Sequence, residues 1–171
     1  MTKNPPLVHV ITGPTAAGKS TYALRLAVDT NGVRFAIDEW MHALFSPDMP
    51  ATMDMAWAMT RVLRCQAQIW SVARQILAAG NDVVLEPGLL RKADRDAFSA
   101  KVEAAGHCAR FYFVDAELSV RRQRVLQRNA QKGATYSFDV TPRMFEAMEA
   151  YFERPSEDEM ARMNLVEGVQ R

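Results

Sequence analysis

An excess of charge of either sign is missing from this chain: 21 basic and 20 acidic residues leave a formal net charge of +1. No global field draws such a protein to nucleic acid or to an anionic membrane, so any contact with a polyanion has to be local. Cysteine is scarce. Cys65 falls in a helical stretch and Cys108 at a strand start; they show neither metal-ligand spacing nor a disulfide framework, and read as two reduced, buried thiols of a cytoplasmic protein. No run approaches the ~20 apolar residues of a membrane span. Met1 to Pro6 is short and polar, without the apolar stretch of a signal peptide. Repeats, low-complexity tracts and linkers are lacking too. At 171 residues, 49% of them hydrophobic, the chain suits one well-buried core over residues 1–171 and is too short for two ordinary domains.

What is present begins with Gly13, Pro14, Thr15, Ala16, Ala17, Gly18, Lys19 and Ser20. The run follows the apolar segment Leu7 to Thr12 and leads through Thr21 into a helix-forming stretch. A strand that delivers the chain to such a loop lets backbone N–H groups curl around phosphate oxygens, with the positive end of the next helix pointing at the same anion. Gly13 and Gly18 permit that side-chain-free approach. Lys19 is placed to reach the β- and γ-phosphates, and the Ser20 hydroxyl to hold a Mg²⁺ that bridges them.

Beyond the loop, strands and helices alternate. Val33 to Ile37 reads as a second strand ending in Asp38 and Glu39, and Asp54 to Ala79 as one long helix, with Trp57 and Trp70 more fitted to core than to a ligand site. Asp82 to Glu86 is a third strand, apolar throughout as a strand buried on both faces should be. A helix from Lys92 to Ala105 and a strand from His107 to Val114 follow. Asp115 is expected to cap a basic helix, Glu117 to Gln131, and a loop with Gly133 and Tyr136 comes next. Thr141 and Pro142 open a helix through Arg154, and Asn164 to Val166 is a candidate last strand. The alternation predicts an α/β fold of three layers with a mostly parallel sheet, its ligand site beyond the carboxyl ends of the strands. By that rule Thr12, Asp38, Glu86 and Asp115 converge on one edge.

Phosphoryl transfer needs held phosphates, a metal, an oriented nucleophile and cations that absorb charge. Asp38 is the candidate general base for an acceptor hydroxyl, with a helix cap or a metal-water contact as its alternatives and Glu39 as a substitute. Glu86 ends its strand as the acid of a Walker B segment does. It is a candidate to bind the metal through water or to fix the acceptor, against the alternative of a solvent-facing strand end. Arg121, Arg124 and Arg128 have the three- and four-residue spacing of one helix face, where guanidinium groups clamp a phosphate as a lid closes. Arg122 lies off that face. Arg91 and Arg95 either contact the acceptor or pair with Asp94 and Asp96. His9, His42 and His107 are scattered and give a histidine base little support.

These residues resemble the small P-loop kinases of the AAA_33 or zeta-toxin-like kind. The likeness rests on Gly13 to Ser20, the acidic strand end at Asp38, and Val83 to Glu86 followed by Leu90 to Arg95. It continues through Phe113 to Asp115 with the arginine helix to Asn129, Val140 to Phe145, and Phe152 to Glu159. Chloramphenicol phosphotransferase, zeta toxin, shikimate kinase, polynucleotide kinase and adenylate kinase are organised similarly. The resemblance implies a nucleoside-monophosphate-kinase-like fold, ATP with Mg²⁺, Asp38 as base, and Arg121, Arg124 and Arg128 as lid residues that bind ATP. The family commonly has Asp where Glu86 stands. No Asn-Lys-x-Asp guanine-reading motif is present, in keeping with ATP.

The expectation is therefore an ATP-dependent kinase acting on a hydroxyl of a small molecule. The acceptor would lie between a helical insertion at about 41–79 and the sheet edge, with an arginine-rich lid at about 117–140. Whether Trp40 and Trp57 line that pocket stays open, as does the choice between monomer and homodimer. Balanced charge and the lack of an aromatic-basic stripe argue against a polynucleotide 5′-hydroxyl kinase. A nucleotide-binding or ATPase module without kinase activity is the other alternative.

Overall fold

All five strands of the sheet are parallel in a computed structural model of the chain, which describes residues 5–50, 54–133, 136, 138–167 and 169. They are β1 (Leu7–Thr12), β2 (Val33–Ala36), β3 (Val83–Glu86), β4 (Cys108–Asp115) and β5 (Asn164–Glu167), in the order β2-β3-β1-β4-β5. Parallel neighbours need crossovers, and helices supply them: α1 (Lys19–Asp29), α2 (Ile37–Phe45), α3 (Met55–Ala78), α4 (Lys92–Ala104), α5 (Leu118–Gln131), α6 (Pro142–Tyr151) and the short α7 (Glu157–Met160). The sheet is covered on both faces, which is why β3 is buried throughout and β1 from Val8 onward. On one side Val8, Val10 and Leu85 pack with Cys65, Ile69, Trp70, Ala73 and Leu77 of α3. On the other, Ile11, Val84 and Val114 pack with Ala23 of α1. Val10 lies opposite Leu85, Thr12 opposite Phe113 and Ala36 opposite Glu86, so the carboxyl ends of β2, β3, β1 and β4 meet at one edge.

Three buried polar groups show how the sheet and its flanks are tied. The His9 ring shares hydrogen bonds of 3.0 Å with the Tyr112 hydroxyl and the Asp82 carboxylate, whose other oxygen accepts the Leu7 N–H. Arg95 is 2% exposed and grips Glu159 with Nε and Nη2 at 2.8 and 3.1 Å, while Nη1 donates to the Glu153 carbonyl. Arg95 thus fastens α7, itself opened by a Ser156–Glu159 capping box, to α4. It is a structural residue, paired with neither Asp94 nor Asp96.

Some boundaries differ from the sequence reading, each for a local reason. β2 stops at Ala36 and Ile37 already opens α2, whose first turn carries Asp38 and Glu39, the charge that a helix N-terminus favours. Asp115 does not cap α5. Its carboxylate accepts from the Ala116 N–H and pairs with Arg154, and Glu117 occupies the cap position without a side-chain bond. Thr141 does cap α6, accepting from the Met144 N–H, but the helix ends at Tyr151 because Phe152 turns extended and its ring stacks on Phe113, centroids 6.4 Å apart. Cys65 is buried as expected, whereas Cys108, at the beginning of β4, is exposed. The expected loop around Gly133 and Tyr136 includes residues 134, 135 and 137, which lie outside the described residues. No helix among the described residues is long and apolar enough to cross a membrane.

Candidate active site

Between β1 and α1 the chain turns tightly, through Gly13 at φ 144°, Ala16 at φ 60° and Gly18 at φ 109°. Gly13 is irreplaceable on steric grounds: a Cβ there would lie 2.1 Å from the Val114 carbonyl oxygen at the end of β4. Gly18 sits at the N-cap of α1 and offers no side-chain cap, so the first-turn N–H groups of Lys19, Ser20 and Thr21 are left for an anion.

Behind this loop the groups that would handle phosphate and metal are held by one another. Lys19 Nζ donates to the Pro14 carbonyl at 2.8 Å. Burial holds its amine below the usual lysine range; the carboxylates of Asp38 and Glu86 counter that effect and the charges of Arg128 and Arg121 add to it. Ser20 Oγ donates to Glu86 Oε2 at 2.8 Å, and Arg34 Nε donates to Glu86 Oε1 at 2.7 Å. Arg34 also reaches Glu39 Oε1, with Nη1 at 2.8 Å. Glu86 is therefore no solvent-facing strand end but a 7% exposed carboxylate. Burial pushes its pKa up, against the pull of Arg34 and Ser20. The adjacent Ser20 hydroxyl and Glu86 carboxylate are hard oxygen donors, the kind that suit a Mg²⁺ ion keeping several waters of its own. No cluster of three or more His, Cys, Asp or Glu able to hold a metal occurs among the described residues, and a magnesium ion between protein and phosphates needs none.

The arginine face of α5 meets the loop as its spacing suggested, but its members do different work. Arg121, 4% exposed, holds Glu149 of α6 through Nη1 and Nη2 at 2.5 and 2.6 Å and donates to the carbonyls of Ala116 and Thr15. Arg124 donates to the Ala17 carbonyl at 2.8 Å and the Val169 carbonyl at 2.7 Å. Arg122, off that face, pairs with Glu146.

One cleft of about 980 Å³ gathers most of the predicted site. Gly13, Thr15, Ala16, Gly18, Lys19, Ser20, Thr21, Asp38, Glu86, Arg124 and Arg128 line it; Pro14, Ala17 and Arg121 stand behind its wall. Asp38, exposed on the first turn of α2, accepts no hydrogen bond from another described residue. Trp40 packs against Phe35 and Trp57 against Phe45, and neither lines the cleft. Its far wall comes instead from Met41 of α2 and from Met59, Val62, Leu63 and Gln66 of α3. Sequence reasoning missed Arg34 and this α3 face. Arg34 carries no motif, but the exposed apolar residues at 59 and 63, four apart on a helix whose opposite side fills the core, were a readable signal.

A family profile described as an AAA domain, AAA_33, matches residues 8–155. No curated protein matches the chain in sequence. Solved structures share the fold. Kti12 of Chaetomium thermophilum, determined in complex with ADP-AlF3, aligns over 95% of this chain and 89% of its own at 14% identity, with a TM-score of 0.69. A gluconokinase from Sinorhizobium meliloti 1021 covers 98% of this chain and 85% of its own at 20% identity and TM-score 0.62. A sugar kinase from Janibacter sp. HTCC2649 covers 95% and 84%, at 15% identity and TM-score 0.59.

Proposed function

The chain belongs to the AAA_33 family of AAA domains, with a P-loop kinase-like fold, and from that premise we propose that it transfers the γ-phosphate of Mg·ATP to a hydroxyl of a small molecule. The observation that carries the reading is one cleft lined together by the P-loop, Lys19, Ser20, Asp38 and apolar residues of α2 and α3. Its volume falls within the ~300–1,000 Å³ of small-ligand sites.

The loop N–H groups and the start of α1 bind the β- and γ-phosphates, and Lys19 exchanges the Pro14 carbonyl for a phosphate oxygen. Ser20 and Glu86 would hold Mg²⁺, which when bound neutralises the charge developing on those oxygens. Asp38 orients the acceptor hydroxyl and takes its proton as the acceptor oxygen bonds to the γ-phosphorus and the bond to the β-phosphate oxygen breaks, releasing ADP. Arg124 and Arg128, on the cleft side of α5, stabilise the transferring group. Arg121 supports them from behind by fixing the Thr15 carbonyl.

The test is γ-phosphate transfer from Mg·ATP to a library of hydroxyl compounds, read by mass spectrometry, with Asp38→Asn alongside. A product heavier by one phosphoryl group, lost in Asp38→Asn, is expected. Nucleotide binding or slow hydrolysis alone, unchanged by Asp38→Asn, would replace this reading with that of a nucleotide-dependent module.

A further inference from the structure

The cleft that holds Asp38 has a broad apolar wall. Met41, Met59, Val62, Leu63, Leu89 and Phe98 face it from α2, α3, α4 and the segment after β3. Met59 and Leu63 are 47% and 61% exposed, an apolar surface left open on a helix whose other side is committed to the core. Two of the polar side chains on this wall are already used. Gln66 Nε2 donates to the Pro87 carbonyl at 2.7 Å, and the Thr12 hydroxyl to the Leu89 carbonyl at 3.2 Å, so neither is spare for a row of sugar hydroxyls.

Several cations near this wall have partners of their own. Arg34 is bound to Glu86 and Glu39, and Arg95 to Glu159. Arg61 lies over the Trp57 ring at 3.7 Å and Arg91 over Tyr151 at 4.5 Å. Lys101 reaches the lining from α4, but its ammonium rests 5.7 Å from the Trp70 ring centroid. Asp38, Glu39 and Asp94 line the same cleft, Glu39 paired with Arg34, together with the cations Lys19, Arg124 and Arg128 of its phosphate end. An ammonium on the acceptor has the Asp94 carboxylate of the lining to pair with.

On the reading proposed above, we infer that the acceptor is a neutral or amine-bearing alcohol on an apolar scaffold, and not a polyol, a sugar acid or a polynucleotide end. The apolar body covers Met59 and Leu63, and the hydroxyl is presented to Asp38.

The experiment uses the full chain and three probe classes: aryl-alkyl alcohols and amino-alcohols such as phenylalaninol; mannitol and gluconate; and an oligodeoxynucleotide with a free 5′-hydroxyl. Transfer from Mg·ATP is followed by mass spectrometry, and binding separately by calorimetry with a non-hydrolysable ATP analogue present. The first class is expected to exceed the others in kcat/KM by about 100-fold or more, the margin available when a site cannot pair the rejected groups. Leu63→Lys, at an exposed position that tolerates a charge in the fold, should raise the KM for these alcohols about tenfold and leave that for ATP unchanged. Preferred transfer to gluconate, mannitol or the oligonucleotide would overturn the acceptor class and leave the kinase reading standing. Saturable binding of aryl-alkyl alcohols without transfer, lost in Leu63→Lys, would support the class and overturn the kinase reading. Absence of both transfer to and binding of that first class, or indifference to Leu63→Lys, overturns the inference.

Discussion

Replacing Arg34 by Met tests the frame on which the site hangs. The Arg34 and Glu86 side chains are 11% and 8% exposed, with Nη2 and Oε1 2.6 Å apart. Removing the guanidinium leaves a buried carboxylate with the Ser20 hydroxyl as its remaining donor among the described residues. Breaking one side of a buried pair costs about 3–5 kcal/mol. The Glu39 arm ends on a carboxylate that is 46% exposed, and contributes about 1 kcal/mol at most. Removing both charges in Arg34→Met/Glu86→Gln should bring the loss back to within about 2 kcal/mol, since a buried amide that keeps the Ser20 hydroxyl as partner costs far less than an unpaired carboxylate. Urea unfolding of the four forms, followed by circular dichroism with the slopes compared, closes the cycle. Arg34→Met within 1 kcal/mol of the parent, or a double variant no more stable than Arg34→Met, would refute the reasoning. Because Glu39 adjoins Asp38, Arg34→Met should also lower kcat more than it raises the KM for ATP, as a shift of ~1 Å in a reacting group can cost about 100-fold.

Lys19→Ala removes the buried P-loop cation and, on the proposed reading, should lower kcat for transfer by about 100- to 1,000-fold while the fold survives; steady-state kinetics with unchanged circular dichroism checks it. Gly13→Ala pushes a methyl group onto the Val114 carbonyl, so both thermal stability, by about 1–3 kcal/mol, and nucleotide binding should fall together in calorimetry. Arg95 holds the Glu159 carboxyl below its ordinary value of 4.5. A depressed acid stabilises above its unfolded pKa and loses that contribution as pH falls through the folded one. The stability gap between parent and Glu159→Gln should thus be widest at neutral pH and close below about pH 4.5, as acid titration of unfolding would show.

The parts of this molecule legible in the sequence are those whose cause is local. The P-loop sits between a strand and a helix because its spacing of Gly13, Gly18, Lys19 and Ser20 has few other uses, and β3 declares double burial by the apolar run Val83 to Leu85. Thr141 and Pro142 mark a helix start for reasons contained in one turn. Where a boundary depended on a distant partner, the reading slipped: α6 ends early because Phe152 finds Phe113, and Asp115 is drawn to Arg154 away from α5. The Arg34–Glu86 pair joins residues 52 apart in the chain, and nothing in either strand announces the other.

The arginines of α5 carry the same lesson into function. Periodicity correctly put Arg121, Arg124 and Arg128 on one face, and that face does meet the P-loop. What spacing leaves open is depth. Arg121, nearest the start of the helix, is drawn beneath α6 by Glu149 and becomes a strut for the loop's backbone; Arg128, seven residues on, emerges at the cleft. A charge-assisted bidentate pair in a buried place holds its guanidinium in one geometry. Arg121 is therefore committed to shaping the cradle, while Arg124 and Arg128 of the same face reach the cleft lining past that acidic neighbour.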